Sequence, residues 1–284
     1  WKPKKEGEPA WESPWSEGRP GWHIECSEMS KKYLGEQIDI HAGGEDLIFP
    51  HHENEIAQSE AANGKEFARY WMHNGFLNID NRKMSKSLGN FFTVREISEK
   101  YDLQVLRFFM LSAHYRSPLN FSAELMEAAG NGLERIVTSS GNLKFLMENA
   151  GTDRMTEAET ELFAQTDRFK ENFEKAMEDD FNTADAIAAI FDFVKFINTN
   201  TDGNSSKEYL EKLHDRLATL ADVLGIIVDR DEEMLDEEIE ALIEERQTAR
   251  KNRDFARADQ IREELLAKGI VLEDTREGVK WRRA

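Results

Sequence analysis

The sequence predicts a mixed, mostly α-helical protein made of an α/β unit, an antiparallel helix bundle and a small α+β unit. Three patterns support this prediction. Short apolar runs alternate with helical stretches over residues 22–120, as expected of an α/β unit. Over residues 121–229 the apolar side chains recur at helical spacing. Residues 230–284 combine two helical stretches with two short apolar runs, which indicates a small α+β unit.

Length and composition exclude several classes of protein. The 284 residues exceed the ~100–200 of a typical domain, so we expect two or three units. With 39% hydrophobic residues the chain can build a core, and it has no apolar run long enough to span a membrane. A single cysteine excludes an internal disulfide framework and fits a reducing cytoplasm. The start at Trp1, without Met or a leader, favours part of a longer protein.

The net charge of −19 is concentrated in the middle of the chain. Residues 148–245 hold 28 acidic and 9 basic side chains, whereas residues 1–147 hold 21 acidic and 17 basic ones. Residues 246–284 are net basic, with 11 basic against 7 acidic side chains. Such block asymmetry indicates separate modules, and the acidic total therefore does not exclude nucleic-acid binding by the basic end.

The first elements are a connector and the α/β unit. Residues 1–21 hold four prolines and three glycines, which predicts a connective linker. Residues 38–41 read as a strand that runs into a glycine turn, and Pro50 is predicted to open the helix that follows. Two further apolar runs, 70–73 and 76–79, predict a strand pair or one bent strand.

Three apolar stripes predict the bundle. Each stripe repeats every three or four residues, as the buried face of an amphipathic helix does. We expect the middle helix to be capped at Asn182 or Thr183 and the last helix to end at Gly225. The stripes comprise Leu125, Ala129, Leu133 and Ile136, then Ile187, Ile190, Phe191, Val194 and Ile197, then Leu210, Leu213, Leu217, Leu220 and Leu224.

The last unit is predicted to contain two helices and a hairpin. The first helix lies near Asp236–Lys251, and Asp254 is placed to cap the second. The strands of the hairpin are expected at residues 270–272 and 279–281, on either side of a polar turn.

Cys26, His51 and Glu55 form the first candidate site. On a helix His51 and Glu55 lie four residues apart and face the same way, and imidazole and carboxylate groups are good zinc ligands. His52 lies three residues from Glu55, so spacing leaves the choice of histidine open. A lone cysteine is more often a small buried apolar residue, but the nearby histidine and carboxylate favour a metal role.

Lys83 and Lys86, with Ser85 and Ser87, form the second candidate site. Composition alone favours a solvated surface loop here. The functional alternative is a mobile clamp on a polyphosphate, because lysine is a point charge and a flexible loop can close on its ligand.

Trp281, Arg282 and Arg283 form the third candidate site. Basic side chains beside an aromatic ring suit a nucleic-acid backbone and a stacked base. The alternative is an ordinary charged surface, because acidic residues are interleaved with the basic ones over residues 246–284.

Together these segments resemble the bacterial-type cysteinyl-tRNA synthetases, a family of class I aminoacyl-tRNA synthetases. The resemblance covers essentially the whole chain and is most specific at residues 18–27, 39–44 and 46–58. Residues 83–90, Lys-Met-Ser-Lys-Ser-Leu-Gly-Asn, resemble the class I ATP loop, and residues 280–283 resemble the family's C-terminal end.

The resemblance implies the C-terminal part of a class I Rossmann-like nucleotide-binding domain, without the first half of that fold. It also implies that Cys26, His51 and Glu55 bind zinc, which would select cysteine over serine because it prefers a soft thiolate to a hydroxyl. The family's fourth ligand, another cysteine, and its His-Ile-Gly-His signature for ATP do not occur in this sequence. We therefore expect the chain alone to be inactive.

By the same resemblance Lys86 and Lys83 would be catalytic. They would neutralise charge on the triphosphate of ATP as the carboxylate of cysteine attacks the α-phosphate and pyrophosphate leaves. Ser85 and Ser87 would also bind ATP, which enters with magnesium. The cysteinyl group would then pass to the terminal adenosine of tRNA(Cys).

The resemblance also places Trp22 and His41 in the amino acid and adenylate pocket, with Asp46 pairing with the substrate ammonium group. The third candidate site would contact tRNA(Cys). The partners expected are thus cysteine, ATP and tRNA(Cys), with no membrane, for a cytoplasmic monomer.

Three alternatives remain open from the sequence. A related ligase that joins cysteine to an amino sugar shares the zinc site and the lysine loop but not the anticodon-type tail. A zinc-dependent hydrolase would need a carboxylate base near an open metal position, which Glu53 could supply. The chain could also bind tRNA as a scaffold without catalysis.

Overall fold

The fold is described from a computed structural model of the chain. It divides into two compact units, Trp1–Val228 and Asp229–Ala284, and each is described by itself. Within the described residues, no helix combines the length and apolar character that a membrane crossing requires. The described residues are 1–80, 82–84, 92–229, 236–252, 254–267, 270–275 and 278–283.

The first unit starts with a small antiparallel pair, β1 (Lys2–Pro3) and β2 (Gly18–Arg19). Gly18 is needed there, because a Cβ at this position would overlap the carbonyl oxygen of Lys2. The segment that composition marks as a connector is therefore folded back on itself through backbone hydrogen bonds.

A βαβ arrangement follows, and it carries the candidate site. Helix α1 (Trp22–Leu34) leads to β3 (Ile38–Gly44), and helix α2 (Glu53–Asn63) leads to β4 (Ala68–Asn74), which pairs in parallel with β3. Such parallel pairing needs a crossover, which α2 supplies.

The start of α2 corrects one prediction. Pro50 is not the first residue of α2 but lies three residues before it, in the short π-helical turn Ile48–His52 that runs directly into the helix. Phe49 is extended, with φ −134° and ψ 133°, as expected of a residue whose α-region is blocked by a following proline. The turn places His51 and His52 directly before the first residue of α2.

The expectation that residues 70–73 and 76–79 pair with each other, or form one bent strand, is also wrong. Strand β5 (Leu77–Ile79) lies in another sheet, between β6 (Arg82–Lys83) and β7 (Leu119–Phe121). The backbone N–H of Gly75 donates to the carbonyl of Tyr115 over 2.8 Å. This hydrogen bond lies just after β4, and the following strand pairs with β7. Among the described residues between β6 and β7 lie two helices, α3 (Val94–Ser98) and α4 (Leu103–Leu111).

Five helices and α4 enclose the apolar core of the first unit. Two of the predicted stripes are buried as expected, apart from Phe191, which is only partly buried. In the first stripe, however, Leu125 is exposed and Met126 takes its place, because Met126 shares a helix face with Ala129 and Leu133. The helices are α5 (Ala123–Glu148), α6 (Glu157–Ala164), α7 (Asp167–Glu178), α8 (Thr183–Asn200) and α9 (Lys207–Val223).

Side-chain caps define several of these helix starts. The side chain of Asn182 caps α8, as the sequence predicts, by accepting from the backbone N–H of Asp185. Glu159 accepts from the backbone N–H groups of Thr156 (2.8 Å) and Ser206 (2.7 Å) and from both of their hydroxyls. One carboxylate therefore caps both α6 and α9.

The second unit contains the two predicted helices and the hairpin. Helix α10 (Asp236–Lys251) and helix α11 (Phe255–Ala267) precede the antiparallel pair β8 (Ile270–Thr275) and β9 (Gly278–Arg283). The carboxylate of Asp254 accepts from the backbone N–H of Arg257 over 3.1 Å, which is the predicted cap. The buried core comprises Ile243, Ile261, Leu265, Ile270 and Leu272. The predicted mixed, mostly helical architecture is confirmed.

Candidate metal centre

Five of the seven histidines of the chain gather around the carboxylate of Glu55. They come from four segments of the βαβ arrangement, so the cluster depends on the fold rather than on one motif. The contributions are His23 from α1, His41 from β3, His51 and His52 from the turn before α2, and His73 from β4.

Cys26, His51 and Glu55 each place one ligand atom within 4.8 Å of the other two. The Nε2 atom of His51 lies 3.4 Å from Oε2 of Glu55. His51 and Glu55 are buried, and Cys26 is half-buried on α1. The structure thus brings the three predicted metal ligands together.

A second group, His41, His52 and Glu55, meets the same distance limit. His41 Nε2 lies 2.9 Å from Glu55 Oε2, and His52 Nε2 lies 4.0 Å from it. The two groups share one carboxylate but not their histidines. Since Cys26 groups with His51 and not with His52, the geometry favours His51 for the site that contains sulfur.

Glu55 is the residue whose surroundings best suit a bound cation. Its side chain is fully buried, and its Oε1 atom has no hydrogen-bond partner among the described residues. A buried carboxylate oxygen without a partner is costly unless a cation or a donor satisfies it. Thiolate, imidazole and carboxylate are together a ligand set that zinc accepts, so these residues fit the metal.

Burial sets the charge of the surrounding groups. It lowers the pKa of His52 to about 4, with further contributions from His41, His73 and His51, and it also lowers the pKa of His73. Both imidazoles are therefore neutral near pH 7 and keep a lone pair. Burial and the nearby Glu55 raise the pKa of the Cys26 thiol, so a metal ion would have to displace its proton.

Two tryptophans border the cluster. The ring of Trp22 stacks on His51, with centroids 4.2 Å apart and planes 23° apart, while half of the Trp22 side chain stays exposed. Trp71 meets His41 edge to face at 4.8 Å. Of the three residues predicted to bind substrate, Trp22 and His41 adjoin the candidate ligands. Asp46 is exposed in the turn Glu45–Leu47 after β3 and belongs to neither close ligand group.

The other two candidate sites are described only in part. Lys86, Ser85 and Ser87 lie outside the described residues, and of Lys83 only the backbone is described, in β6 opposite Asn78. The third site lies on β9, where Trp281 pairs with Leu272 of β8; the side chains of Trp281, Arg282 and Arg283 are not described. Their roles stay predictions.

Sequence reasoning missed His23 and His73. His23 precedes Cys26 by three residues on α1, so helical spacing could have placed it near the thiol. His73 follows Trp71 by two residues on β4 and therefore shares its face. Its contact with His52 crosses 21 residues of chain, and nothing in the local pattern predicts that contact.

Three family models match successive parts of the chain. The model for the tRNA synthetases class I (C) catalytic domain matches residues 1–131, which contain the whole histidine cluster. The DALR domain model matches residues 172–228 within the bundle. The model for the Cysteinyl-tRNA ligase anticodon binding domain matches residues 232–282.

Whole-chain relatives give the same result. The cysteine–tRNA ligase of Lachnospira eligens is 69% identical over 284 residues, and that of Clostridioides difficile is 59% identical over 283; both alignments cover all of this chain. The chain spans 60% and 61% of the length of these curated relatives. Among solved structures, the LeuRS of Agrobacterium radiobacter K84, in a ternary complex with tRNA and LeuAMS, matches 66% of this chain and 27% of its own. Its TM-score is 0.53 and its identity 19%, a likeness of fold alone.

Proposed function

We propose that the chain belongs to the cysteine–tRNA ligase family and acts in the ATP-dependent joining of cysteine to tRNA(Cys) in the cytoplasm, because two cysteine–tRNA ligases that are 69% and 59% identical to it align over its whole length. One observation carries this proposal. The close group Cys26, His51 and Glu55 lies within the segment that matches a class I catalytic domain, and it offers sulfur, nitrogen and oxygen to a single ion.

We propose that the thiolate of Cys26, the imidazole of His51 and the carboxylate of Glu55 would hold zinc. The Oε1 atom of Glu55, which has no hydrogen-bond partner among the described residues, is available for this role. When bound, zinc prefers a soft thiolate to a hydroxyl and so supplies the means of telling cysteine from serine. Trp22 stacks on His51 at one side of this group. His41 holds the carboxylate of Glu55 from the other side, through its hydrogen bond to Oε2.

The activation step rests on residues of the second candidate site. Lys86 and Lys83 are proposed to neutralise charge on the triphosphate as the cysteine carboxylate attacks the α-phosphate and pyrophosphate leaves. Ser85 and Ser87 are proposed to bind ATP, which carries magnesium. Asp46 is proposed to pair with the ammonium group of cysteine, and its exposure near the end of β3 leaves it free to do so.

The second unit is proposed to bind tRNA(Cys). Its support is the match of residues 232–282 to an anticodon binding domain and the net basic composition of residues 246–284. Trp281, Arg282 and Arg283 remain the proposed contact residues. This match also favours the tRNA ligase over a ligase that joins cysteine to an amino sugar.

A hydrolase is disfavoured by the position of its required base. Glu53 is exposed at the start of α2 and belongs to neither close group of ligand atoms. A general base must reach the water that it activates, and a buried cluster with an exposed carboxylate outside it does not meet this condition.

The test measures the binding of L-cysteine and of L-serine to the zinc-loaded chain by isothermal titration calorimetry. We expect cysteine to bind more than ~100-fold more tightly, which exceeds what shape alone achieves for near-isosteric side chains. The matched control is Cys26→Ser, which keeps the size of the side chain and should lose both zinc and the preference. Zinc content after dialysis checks that cysteine has not removed the metal. Equal affinity for the two amino acids would contradict the proposal.

A further inference from the structure

We propose that His23 is a positioning residue that fixes the proton of His51, so that His51 presents a free Nε2 lone pair to the metal. The inference rests on the proposed function, because it assumes that His51 is a ligand. It concerns a residue one layer further out, whose role follows from hydrogen-bond geometry inside the cluster.

The key contact joins two nitrogens of the same kind. Nδ1 of His23 lies 2.7 Å from Nδ1 of His51, with the ring centroids 4.9 Å apart. The other ring nitrogen of His51, Nε2, lies 3.4 Å from Glu55 Oε2. His51 thus uses one nitrogen for His23 and turns the other towards the candidate ligands.

This contact permits two proton arrangements between neutral rings. Each neutral imidazole has one N–H and one lone pair, so only one of the two Nδ1 atoms can donate. If His23 donates, His51 carries its own proton on Nε2, and that nitrogen cannot bind a metal. If His51 donates, its Nε2 lone pair is free and His23 carries its proton on Nε2. Metal binding through His51 Nε2 therefore requires His23 to accept.

Stacking alone does not make this choice. The ring of Trp22 sets the plane of His51 but does not distinguish its two tautomers, since both have the same shape. A hydrogen bond to the second nitrogen does distinguish them, and ligating histidines generally have such a partner. His23 supplies it over 28 residues of chain.

Helix α1 therefore supplies three contacts within little more than one turn. Trp22 stacks on the ring of His51, His23 accepts a hydrogen bond from the Nδ1–H of that ring, and Cys26 offers the thiol. A shift in the start of α1 would move all three together. His23 therefore belongs to the site although it is a member of neither close ligand group.

The test compares the affinity for Co²⁺ of the full 284-residue chain with that of two variants. Binding is measured by visible absorbance. His23→Phe keeps a planar ring but removes the acceptor, and we expect its dissociation constant to rise by about 10- to 100-fold. His23→Asn places an amide oxygen near the position of Nδ1, so it should recover most of the affinity. Rescue by Asn and not by Phe is a result that a merely structural role of His23 would not give.

Two further measurements separate the outcomes. The cobalt–thiolate absorption band should persist in both variants, because Cys26 still binds. Nitrogen-15 NMR of the zinc-loaded chain should show the His51 proton on Nδ1. Unchanged affinity in His23→Phe, failure of His23→Asn in a folded chain, or a His51 proton on Nε2 would overturn the inference alone. A wild-type chain that binds neither Co²⁺ nor Zn²⁺ would overturn the proposed metal site and this inference with it.

Discussion

The helix bundle and the histidine cluster lie in the same unit but bury opposite kinds of side chain. The bundle encloses a continuous apolar core that includes Phe193, Leu213 and Leu217, each fully buried. Beside the cluster the buried apolar group has three members, Ile38, Phe67 and Ala68, and other buried positions are occupied by histidines and a glutamate.

The difference shows where the stability and the chemistry of the first unit reside. Burial of apolar surface stabilises the fold in proportion to the area removed from water, so the bundle supplies most of that stabilisation. Buried polar groups cost free energy unless they find partners, and Oε1 of Glu55 has none among the described residues. The cluster is held in place by a scaffold whose stability comes from elsewhere.

The largest expected effect tests whether the bundle core supplies most of the stability of the first unit. Phe193→Ala should lower the free energy of unfolding by about 3–5 kcal/mol, because it removes a fully buried ring and leaves a cavity. Urea denaturation of the first unit measures the loss. Phe145→Ala is the matched control, since that ring on α5 is 64% exposed and its removal should cost little. Similar losses in the two variants would contradict the assignment of stability to the bundle core.

Lowering the pH should reduce the free energy of unfolding through the histidine cluster. Burial lowers the pKa of His52 to about 4 from an ordinary value of 6.5, so between these pH values the unfolded chain binds a proton that the folded chain excludes. Stability is unaffected by His52 above pH 6.5. It should fall by ~1.4 kcal/mol per pH unit below that, to a total of roughly 3 kcal/mol near pH 4.

The measurement is the pH dependence of unfolding, compared between the wild-type chain and His52→Asn. The variant should lose this part of the slope between pH 6.5 and 4. His114→Asn serves as the control, because His114 lies outside the cluster, close to Asp180. If His52→Asn retains the full slope, His52 is not the group that excludes the proton.

The smallest of the three expected effects concerns the side-chain caps at the helix starts. Glu159 accepts hydrogen bonds from the starts of two helices, so Glu159→Gln should cost about 1–2 kcal/mol by weakening both caps. Glu96 is the matched control, because it forms the same capping box with Thr93 at the start of α3. Glu96→Gln should cost less. Equal losses by urea denaturation would show that the bond to α9 adds nothing.

The sequence predicts the helices well where local chemistry defines them. Asn182 and Asp254 are recognisable caps, and both act as such. Prediction fails where a distant contact decides. Leu125 fits an apolar stripe as well as Met126 does, and only the packing of α5 shows which one is buried. The separation of residues 70–73 from 76–79 depends on hydrogen bonds to residues more than 35 positions away.

The site shows the same division. Cys26, His51 and Glu55 can be proposed from residue type and spacing, because ligand chemistry restricts the choice. The choice between His51 and His52 cannot, since both spacings reach Glu55; it needs the position of Cys26 on another helix. The contact of His23 with His51 joins two elements and leaves no periodic signal in the chain.

The single cysteine allows metal binding at the candidate site to be followed by thiol labelling. Cys26 is the only thiol in 284 residues, and it is half-buried rather than enclosed. A thiol-reactive dye therefore has one place to attach, and a metal ion held by that thiolate should slow its attachment. The same property allows a spectroscopic probe to be placed on α1 without first removing competing cysteines.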